Sequence, residues 1–417
     1  MHRLPDRAAA LGLLAAAFLL PWLAFVADKA LAWVTGIAAL LALPVLVRER
    51  AHVRWTFGNG WARLALASLL ALLALLLLSP FWGAAEHADA MQKLAWRTAL
   101  AFVAGLPLVL AAGAGTVDRR HLVPALLAGL AVAAAITVID AATGHLLLKI
   151  RTVFGDRVPT PDGVMAAAYE QSPDRYLRRF NDFWVVAVLS AAFVLSGLRR
   201  AWLFPAGLAV LLFVSLKTIS ETAQLISLIG IVAWLLCRFT GRAGVFVLSA
   251  LTVAVILATP VLFPALNGLF LSVFDGSNLL EWKILERFEI WAALSETVAA
   301  APVLGHGIEY QRLAVAYPGP GTYFLPDKLW HPHSLPVQLW QDLGLLGALA
   351  GSALAAGCFG ATLRMDPGER PAMAALVAMS LGALAATHSI WLGWWLCVFF
   401  LLAAFAVARA RTTVEHA

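Results

Sequence analysis

The chain has 417 residues, of which 62% are hydrophobic and only 13% are charged. Ordinary globular domains carry about 45–50% apolar and about 25% charged residues, so this composition excludes a soluble globular protein. A net charge of +6 would suggest nucleic acid as the partner of a soluble domain. In a membrane protein, basic residues that anchor cytoplasmic loops explain the charge, and no nucleic-acid partner is predicted.

Apolar stretches that approach the roughly 20 residues needed to cross a bilayer recur along the chain. They predict an all-α polytopic membrane protein, a single transmembrane domain over 1–417 with about twelve transmembrane helices. The stretches are 8–27, 30–47, 62–84, 96–115, 122–142, 183–198, 201–217, 222–237, 243–263, 338–362, 371–391 and 394–409.

The orientation follows from the short connections, because lysine and arginine are retained on the cytoplasmic side. Basic residues fall at every second short connection, for example at Arg119/Arg120 and Arg199/Arg200. This pattern predicts that both termini are cytoplasmic. Two long connections, 143–182 and 264–337, then lie on the outer face. Their cations do not contradict this topology, because long loops translocate regardless of charge, and they suggest an anionic substrate there.

Both long loops are expected to carry short helices, because structureless connections of this length are uncommon in compact proteins. The segment 278–301 has a helical composition without proline or glycine. It predicts an amphipathic helix that lies at the membrane surface.

A histidine-bearing segment marks the end of the second long loop. His331 and His333 precede an apolar stretch that contains Gly344 and Gly347. A neutral imidazole can act as a general base near neutral pH, and the two glycines would allow close helix packing around it. The alternative interpretation is that the histidines only cap the helix or anchor it at the interface.

Two motifs in this loop resemble those of O-antigen ligases. His333-Ser334, nine residues and then Gly344-Leu-Leu-Gly347 is similar to the histidine, small polar residue and GxxG pattern of that family. Upstream, Arg287, Trp291, Pro302 and Gly305-His-Gly307 are similar to its arginine, tryptophan, proline and GxG segment. Ala348 is a mild departure, because the family often has Gly, Thr or Tyr there.

The resemblance implies a metal-independent, inverting GT-C glycosyltransferase of the bacterial inner membrane, with its active site facing the periplasm. Such an enzyme transfers a glycan from undecaprenyl diphosphate to the lipid A-core oligosaccharide. Undecaprenyl-diphosphate-linked glycan, lipid A-core and membrane lipids are then the partners, and no cofactor is needed because the glycosyl diphosphate stores the energy. His333 corresponds to the catalytic histidine and Arg287 to the loop arginine.

Further residues are expected to contact the diphosphate or the sugars. Arg175, Arg178 and Arg179 end the first long loop, and binding to lipid phosphates at the interface is the alternative role for them. The family often has an arginine where this chain has Glu221, with Lys217 slightly earlier, so the third basic contact stays open. The remaining candidates are His331, Trp291 and Ser334.

Three alternatives remain open at this stage. The first is a polymerase of O-antigen, or a protein O-oligosaccharyltransferase, from the same superfamily. The second is a multi-span transporter, which the concentration of polar residues in two loops disfavours. The third is a zinc site of His306, His331 and His333, for which no nearby cysteine or acidic ligand completes the set. No metal is predicted.

Overall fold

A computed structural model describes residues 4–48, 60–113, 119–144, 146–147, 181–198, 200–218, 220–277, 279–314, 323 and 332–414. These residues form helices and turns, with no strand among them. The fold class expected from composition, an all-α protein, is therefore confirmed.

Fourteen α-helices occur in the described part of the chain, and the bounds of each follow in chain order. They are α1 (Leu4–Ala27), α2 (Ala30–Arg48), α3 (Gly60–Leu78), α4 (Ala88–Gly113), α5 (Arg119–Ala142), α6 (Asn181–Ser196), α7 (Leu203–Thr218), α8 (Glu221–Thr240), α9 (Arg242–Val273), α10 (Leu279–Thr297), α11 (Tyr310–Ala314), α12 (Leu335–Thr362), α13 (Arg370–Leu384) and α14 (Gly393–Val414).

Eight of the helices in the described residues are long and apolar enough to cross a membrane, and four shorter apolar helices accompany them. The short ones lie at Asn181–Ser196, Leu203–Leu216, Arg370–Leu384 and Gly393–Arg409. Each coincides with a stretch predicted to span. The protein is thus a membrane protein with multiple apolar helices, while the count of twelve spans stays a prediction.

The packing places two clusters of buried side chains side by side. The larger one is built by α1, α2, α6, α8, α13 and α14, and the smaller one by α3, α4, α9 and α12. Helices approach closely where they carry small residues. A Cβ added to Gly129 of α5 would lie 2.2 Å from the carbonyl oxygen of Phe18 in α1. Small residues at helix interfaces are typical of membrane bundles, because they let backbones meet.

Arg409, a buried basic residue of α14, connects this helix to the end of α6 and to the residue before α13. Arg409 of α14 is 2% exposed and lies 2.9 Å from Oε1 of Glu369. Its guanidinium also donates 2.6 Å to the carbonyl oxygen of Ser196 and to the hydroxyl of that residue. A buried arginine needs such partners, since an unpaired buried charge is strongly unfavourable.

Several helix boundaries differ from those predicted, among them those of α9, α13 and α12. Helix α9 continues through Pro260 and Pro264 to Val273, beyond the expected loop boundary at 264. Helix α13 ends at Leu384 instead of continuing to 391. Helix α12 begins at Leu335 and is interrupted at Gly344, which has φ 61° and ψ −152°. The helix expected over 278–301 is present as α10, followed by a single 3-10 turn, Val298–Ala300.

Candidate active site

The centre of the site is a turn between α13 and α14, residues 385–392, which we call the 385–392 turn. It carries three successive polar residues, Thr387, His388 and Ser389. Thr387 and Ser389 are buried at 3% and 2% exposure. Side chains from α8, α10, α12 and the segments before them bond to this turn, so it brings distant parts of the chain together.

His333, in the segment before α12, contacts the 385–392 turn. Its Nδ1 forms a very short hydrogen bond with the carbonyl oxygen of Thr387. A carbonyl can only accept, so Nδ1 carries the proton and the lone pair of the neutral ring lies on Nε2. The backbone of His333 is left-handed, with φ 52°, and Trp291 Nε1 donates 2.8 Å to the carbonyl oxygen of the preceding Pro332. Trp291 thus fixes the chain just before the histidine.

The surroundings of His333 keep its imidazole neutral. Burial and the nearby charge of Arg287 lower its pKa from 6.5 to about 4, against the opposing effects of the Thr387 bond and of Asp182. The ring therefore carries no charge at neutral pH. An uncharged imidazole is the form that accepts a proton.

Arg287 reaches the same turn from α10. Its Nη1 donates 3.2 Å to the carbonyl oxygen of Ala386, the residue before Thr387. Burial lowers the pKa of the guanidinium, and the charge of Glu286 opposes this change; an arginine stays protonated in any case. The structure thus brings together the two residues singled out by sequence, on adjacent carbonyls of one turn.

The N-terminus of α8 also bonds to Ala386, and the N-terminus of α6 bonds to that of α8. Thr222, in the first turn of α8, donates 3.3 Å from Oγ1 to the carbonyl oxygen of Ala386. Asn181, the first residue of α6, donates 3.4 Å to the Thr222 hydroxyl and accepts at 2.8 Å from the Ser220 hydroxyl. The N-terminus of a helix carries a partial positive charge, so this junction favours an anion nearby.

An ion pair lies beside His333. His388 Nε2 is 2.6 Å from Oδ1 of Asp182 in α6. Burial disfavours the charged imidazole of His388, but the charge and hydrogen bond of Asp182 raise its pKa above 6.5 overall, with a further contribution from Asp28. His388 therefore holds a proton more readily than an ordinary histidine, whereas His333 gives one up.

One glycine of each motif, Gly344 and Gly305, lies at a single contact between a loop segment and α12, whereas the sequence predicts close packing between helices. Gly344 interrupts α12, and the segment after Pro302 occupies the break. Leu345 N donates 2.9 Å to the Pro302 carbonyl oxygen, and a Cβ on Gly344 would lie 2.5 Å from the carbonyl carbon of Val303. Gly305 lies at the same contact, where its Cβ would lie 2.5 Å from Leu343 N. Both glycines have positive φ angles.

Two of the three histidines considered for zinc, His306 and His333, are held by protein groups. Nε2 of His306 lies 3.0 Å from the carbonyl oxygen of Thr297, and its ring stacks on Tyr310 with centroids 4.4 Å apart. Within the described residues no group of three His, Cys, Asp or Glu side chains could hold a metal ion. His331 lies outside the described residues.

The other candidates are placed only in part. Arg175, Arg178 and Arg179 also lie outside the described residues. Lys217 lies near the C-terminus of α7, and its side chain is not among those described. Glu221 is the first residue of α8, beside Thr222, where the helix dipole favours a carboxylate. Ser334 occupies the N-cap position of α12 without a side-chain capping bond, and it is 1% exposed.

Sequence reasoning missed the 385–392 turn because it was included in a predicted span, 371–391. The signal was present, since Thr387, His388 and Ser389 are three successive polar residues in an apolar stretch. Such residues are unfavourable in hydrocarbon and mark functional positions when they occur there. Glu309 was missed too, and nothing in its sequence surroundings distinguishes it.

The family comparison bears on this site directly. A family model described as O-antigen ligase matches residues 184–350. This part of the chain is thus similar to the O-antigen ligase family. The resemblance seen in the motifs is thereby confirmed, and Arg287, Trp291, His333 and Ser334 all fall inside the match. No curated protein matches the chain.

The family match supports a glycosyltransferase-type membrane enzyme of the O-antigen ligase and polymerase kind, with lipid-linked glycans as substrates. The 385–392 turn lies beyond the matched segment. A part of the chain outside the family match therefore supplies the carbonyls to which His333 and Arg287 bond.

Proposed function

We propose that the protein is an O-antigen ligase that transfers a glycan from undecaprenyl diphosphate to the lipid A-core oligosaccharide at the periplasmic face of the inner membrane. The observation that carries the proposal is the meeting of a neutral histidine and a charged arginine on adjacent carbonyls, those of Thr387 and Ala386. A base and an anion-binding group side by side are what transfer from a lipid diphosphate requires.

The proposed reaction is a single inverting displacement. Nε2 of His333 takes the proton of an acceptor hydroxyl, and the hydroxyl oxygen forms a bond to the anomeric carbon. The bond from that carbon to the phosphate oxygen breaks, and its electron pair leaves with the lipid diphosphate. Arg287 stabilises the developing charge on this leaving group, because a guanidinium can hold two phosphate oxygens in a fork.

The electrostatic surroundings support a diphosphate at this place. The N-terminus of α8 bonds to Ala386, and that of α6 bonds to α8. Their partial positive charges, which Asp182 and Glu221 partly offset, add to the charge of Arg287. We assign Arg175, Arg178 and Arg179 as further cations for the same anion. They precede α6 directly in the chain, so the first described residue of that helix, Asn181, ties their end of the loop to the site.

The donor supplies the free energy of the reaction, so no ATP is needed. We further propose that the reaction needs no metal ion, because Arg287 stabilises the leaving diphosphate and no cysteine or acidic ligand completes a set with His306, His331 and His333. With purified protein, lipid-linked donor and lipid A-core acceptor, we expect transfer to continue in excess EDTA. Loss of activity that zinc or magnesium restores would return the zinc site, and with it His306 and His331, to the mechanism.

A polymerase of the same superfamily is distinguished by its product. In a strain that lacks this protein, a ligase function predicts free core on the glycolipid gel, together with accumulated lipid-linked polymer. Core that carries a single repeat unit would identify a polymerase and overturn the ligase assignment. The purified protein gives the matching test, because a ligase releases lipid diphosphate only when the lipid A-core acceptor is present.

A further inference from the structure

A second group of buried polar side chains holds the 385–392 turn, at Ser389 and Ile390. Ser389 donates its hydroxyl hydrogen to Oε1 of Glu309 in a very short bond. The same hydroxyl oxygen accepts 2.8 Å from Nε2 of Gln338 and 3.2 Å from the backbone N of Trp391. A hydroxyl has one donor and two acceptor positions, so the hydrogen-bonding capacity of Ser389 is fully used.

The amide of Gln338 makes a second bond to the turn. Its Oε1 accepts a hydrogen bond of 2.9 Å from the backbone N of Ile390, so the amide bonds to two successive residues, Ser389 and Ile390. Gln338 and Ser389 are 1% and 2% exposed, and Glu309 is 6% exposed. Buried polar networks that are fully satisfied specify one geometry, because any displacement leaves desolvated groups without partners.

We call the side chains of Glu309, Gln338 and Ser389 the clamp. Gln338 lies five residues after His333, at the start of α12, and Ser389 lies two residues after Thr387. The bonds from Gln338 to Ser389 and from His333 to Thr387 therefore join the same two segments at two points. The position of the histidine relative to its carbonyl partner is fixed by a closed ring of covalent and hydrogen bonds.

Glu309 adds a third segment to this ring. Its backbone is left-handed, with φ 56°, a conformation that a side chain other than glycine adopts only when its surroundings impose it. It begins the turn that leads into α11, where Arg312 N donates 3.0 Å to the Glu309 carbonyl oxygen. Burial raises the pKa of its carboxyl, against the effects of Ser389 and Arg312.

We propose that Glu309, Gln338 and Ser389 are positioning residues for transfer, which hold the Thr387 carbonyl so that His333 keeps its proton on Nδ1 and its lone pair on Nε2. This inference rests on the proposed function, since it assumes that His333 is the base. The clamp acts on catalysis only through the carbonyl. If that carbonyl moves, the imidazole of His333 no longer has a preferred tautomer or a fixed orientation.

The test compares Ser389→Ala and Gln338→Met with wild type, at equal amounts of folded full-length protein, by transfer from lipid-linked donor to lipid A-core. We expect kcat to fall about 10- to 100-fold, as misplacement of a base does, while the KM for the donor changes by less than about twofold. The acid limb of the rate should also move to lower pH, because the lost carbonyl bond normally raises the pKa of His333.

Ser196→Ala is the matched control, because it removes a buried hydroxyl that bonds to Arg409, remote in the fold from the 385–392 turn. We expect it to reduce thermal stability without a change in kcat or in the pH profile. Ser389→Thr keeps the hydroxyl and should stay within about threefold of wild type. Should Ser389→Ala not fold, Gln338→Met alone gives the test, since it removes both bonds from the amide to the turn.

Unchanged kcat and pH profile in Ser389→Ala and Gln338→Met would overturn the clamp, as would an equal loss of kcat in Ser196→Ala. His333→Ala, measured in parallel, separates the two proposals. If His333→Ala is inactive while the clamp variants behave as wild type, only this inference fails. If His333→Ala transfers glycan normally, the proposed base itself is wrong.

Discussion

His333 combines two unfavourable features, a left-handed backbone and a buried imidazole. Each backbone strain of this kind costs about 1–3 kcal/mol and persists only where the surroundings impose it. Here the Pro332 carbonyl is held by Trp291 at 2.8 Å, and the ring is held by the Thr387 carbonyl. The cost is consistent with a histidine kept in one orientation for a chemical role.

The low pKa of His333 predicts how the rate of transfer depends on pH. A protonated imidazole cannot accept a proton, so activity is lost as the pH falls through this pKa. The acid limb of kcat/KM, which reports the free enzyme, should lie near pH 4. A bound diphosphate adds negative charge next to the ring and raises its pKa, so the limb of kcat should lie at a higher pH. The measurement is initial transfer rate against pH at low and at saturating donor.

Two results would contradict this account of His333. An acid limb of kcat/KM at pH 6.5 would mean that the ring titrates like an ordinary solvated histidine. A limb that has the same position in kcat/KM and in kcat would mean that the anionic donor does not bind beside it.

Arg287 offers a test that separates geometry from charge. Arg287→Lys keeps the positive charge but loses the planar fork that fits two phosphate oxygens. Losing about 2–3 kcal/mol of transition-state stabilisation would slow turnover roughly 30- to 150-fold. The measurement is kcat of the purified variant at saturating donor, and a rate within about threefold of wild type would reduce Arg287 to a general cation.

At the scale of elements, the break in α12 determines where the site residues lie. His333 lies just before α12 and Gln338 lies near its N-terminal end, before the interruption at Gly344. The segment Pro302–Gly307 packs into the interruption. Backbone bonds from His306 N to the Gln341 carbonyl oxygen, 2.8 Å, and from Gly307 N to that of Asp342, 3.0 Å, join this segment to α12. Residues Ile308 and Glu309 follow directly, so this contact places the clamp.

Gly344→Ala should therefore destabilise the protein and reduce transfer. Its φ of 61° is unfavourable for alanine, and the new Cβ would lie 2.5 Å from the backbone of Val303. We expect a loss of about 2 kcal/mol or more in the free energy of unfolding, seen as a lower melting temperature in detergent. Gly268→Ala in α9 is the control, because nothing lies within 4 Å of its Cβ and alanine favours a helix. Equal melting temperatures of the two variants would contradict a structural role for the break.

The sequence predicts apolar helices well and their interruptions poorly. Apolar stretches of the required length correspond to helices here, because burial in lipid depends on composition alone. The end of α13 at Leu384 depends on partners for Thr387 and Ser389 that come from α12 and from the segment before α11, which local sequence cannot reveal. The candidates His333 and Arg287 come from sequence motifs, whereas the candidate Glu309 is recognised only by its tertiary contacts.

At the scale of the whole molecule, the long connections meet the bundle at one place. Asp182, at the end of the first loop, and His333, near the end of the second, both contact the 385–392 turn. Asn181 is joined to the same turn through Thr222. The sequence predicts that both loops lie on the outer face. Their convergence on one turn is consistent with a common function on that face.

Labelling of single cysteines tests the predicted topology. With Cys237, Cys358 and Cys397 replaced, Ser277→Cys should react with an impermeant maleimide in intact spheroplasts, and Gly368→Cys should not. Both positions are exposed turn residues, so access depends on the side of the membrane. Reaction of Gly368→Cys alone, or of both variants, would overturn the assignment of the long loops to the periplasm.

The most direct test of the account is in vitro transfer by His333→Ala and His331→Ala, with equal amounts of folded protein, lipid-linked donor and lipid A-core acceptor. Removing a general base costs about 10²- to 10⁴-fold, so His333→Ala should show no detectable transfer while it purifies normally, and His331→Ala should lose less. Purified protein is needed because excess enzyme in a cell could hide a hundredfold loss. Wild-type activity in His333→Ala would contradict the account, and a greater loss in His331→Ala would move the base to that residue.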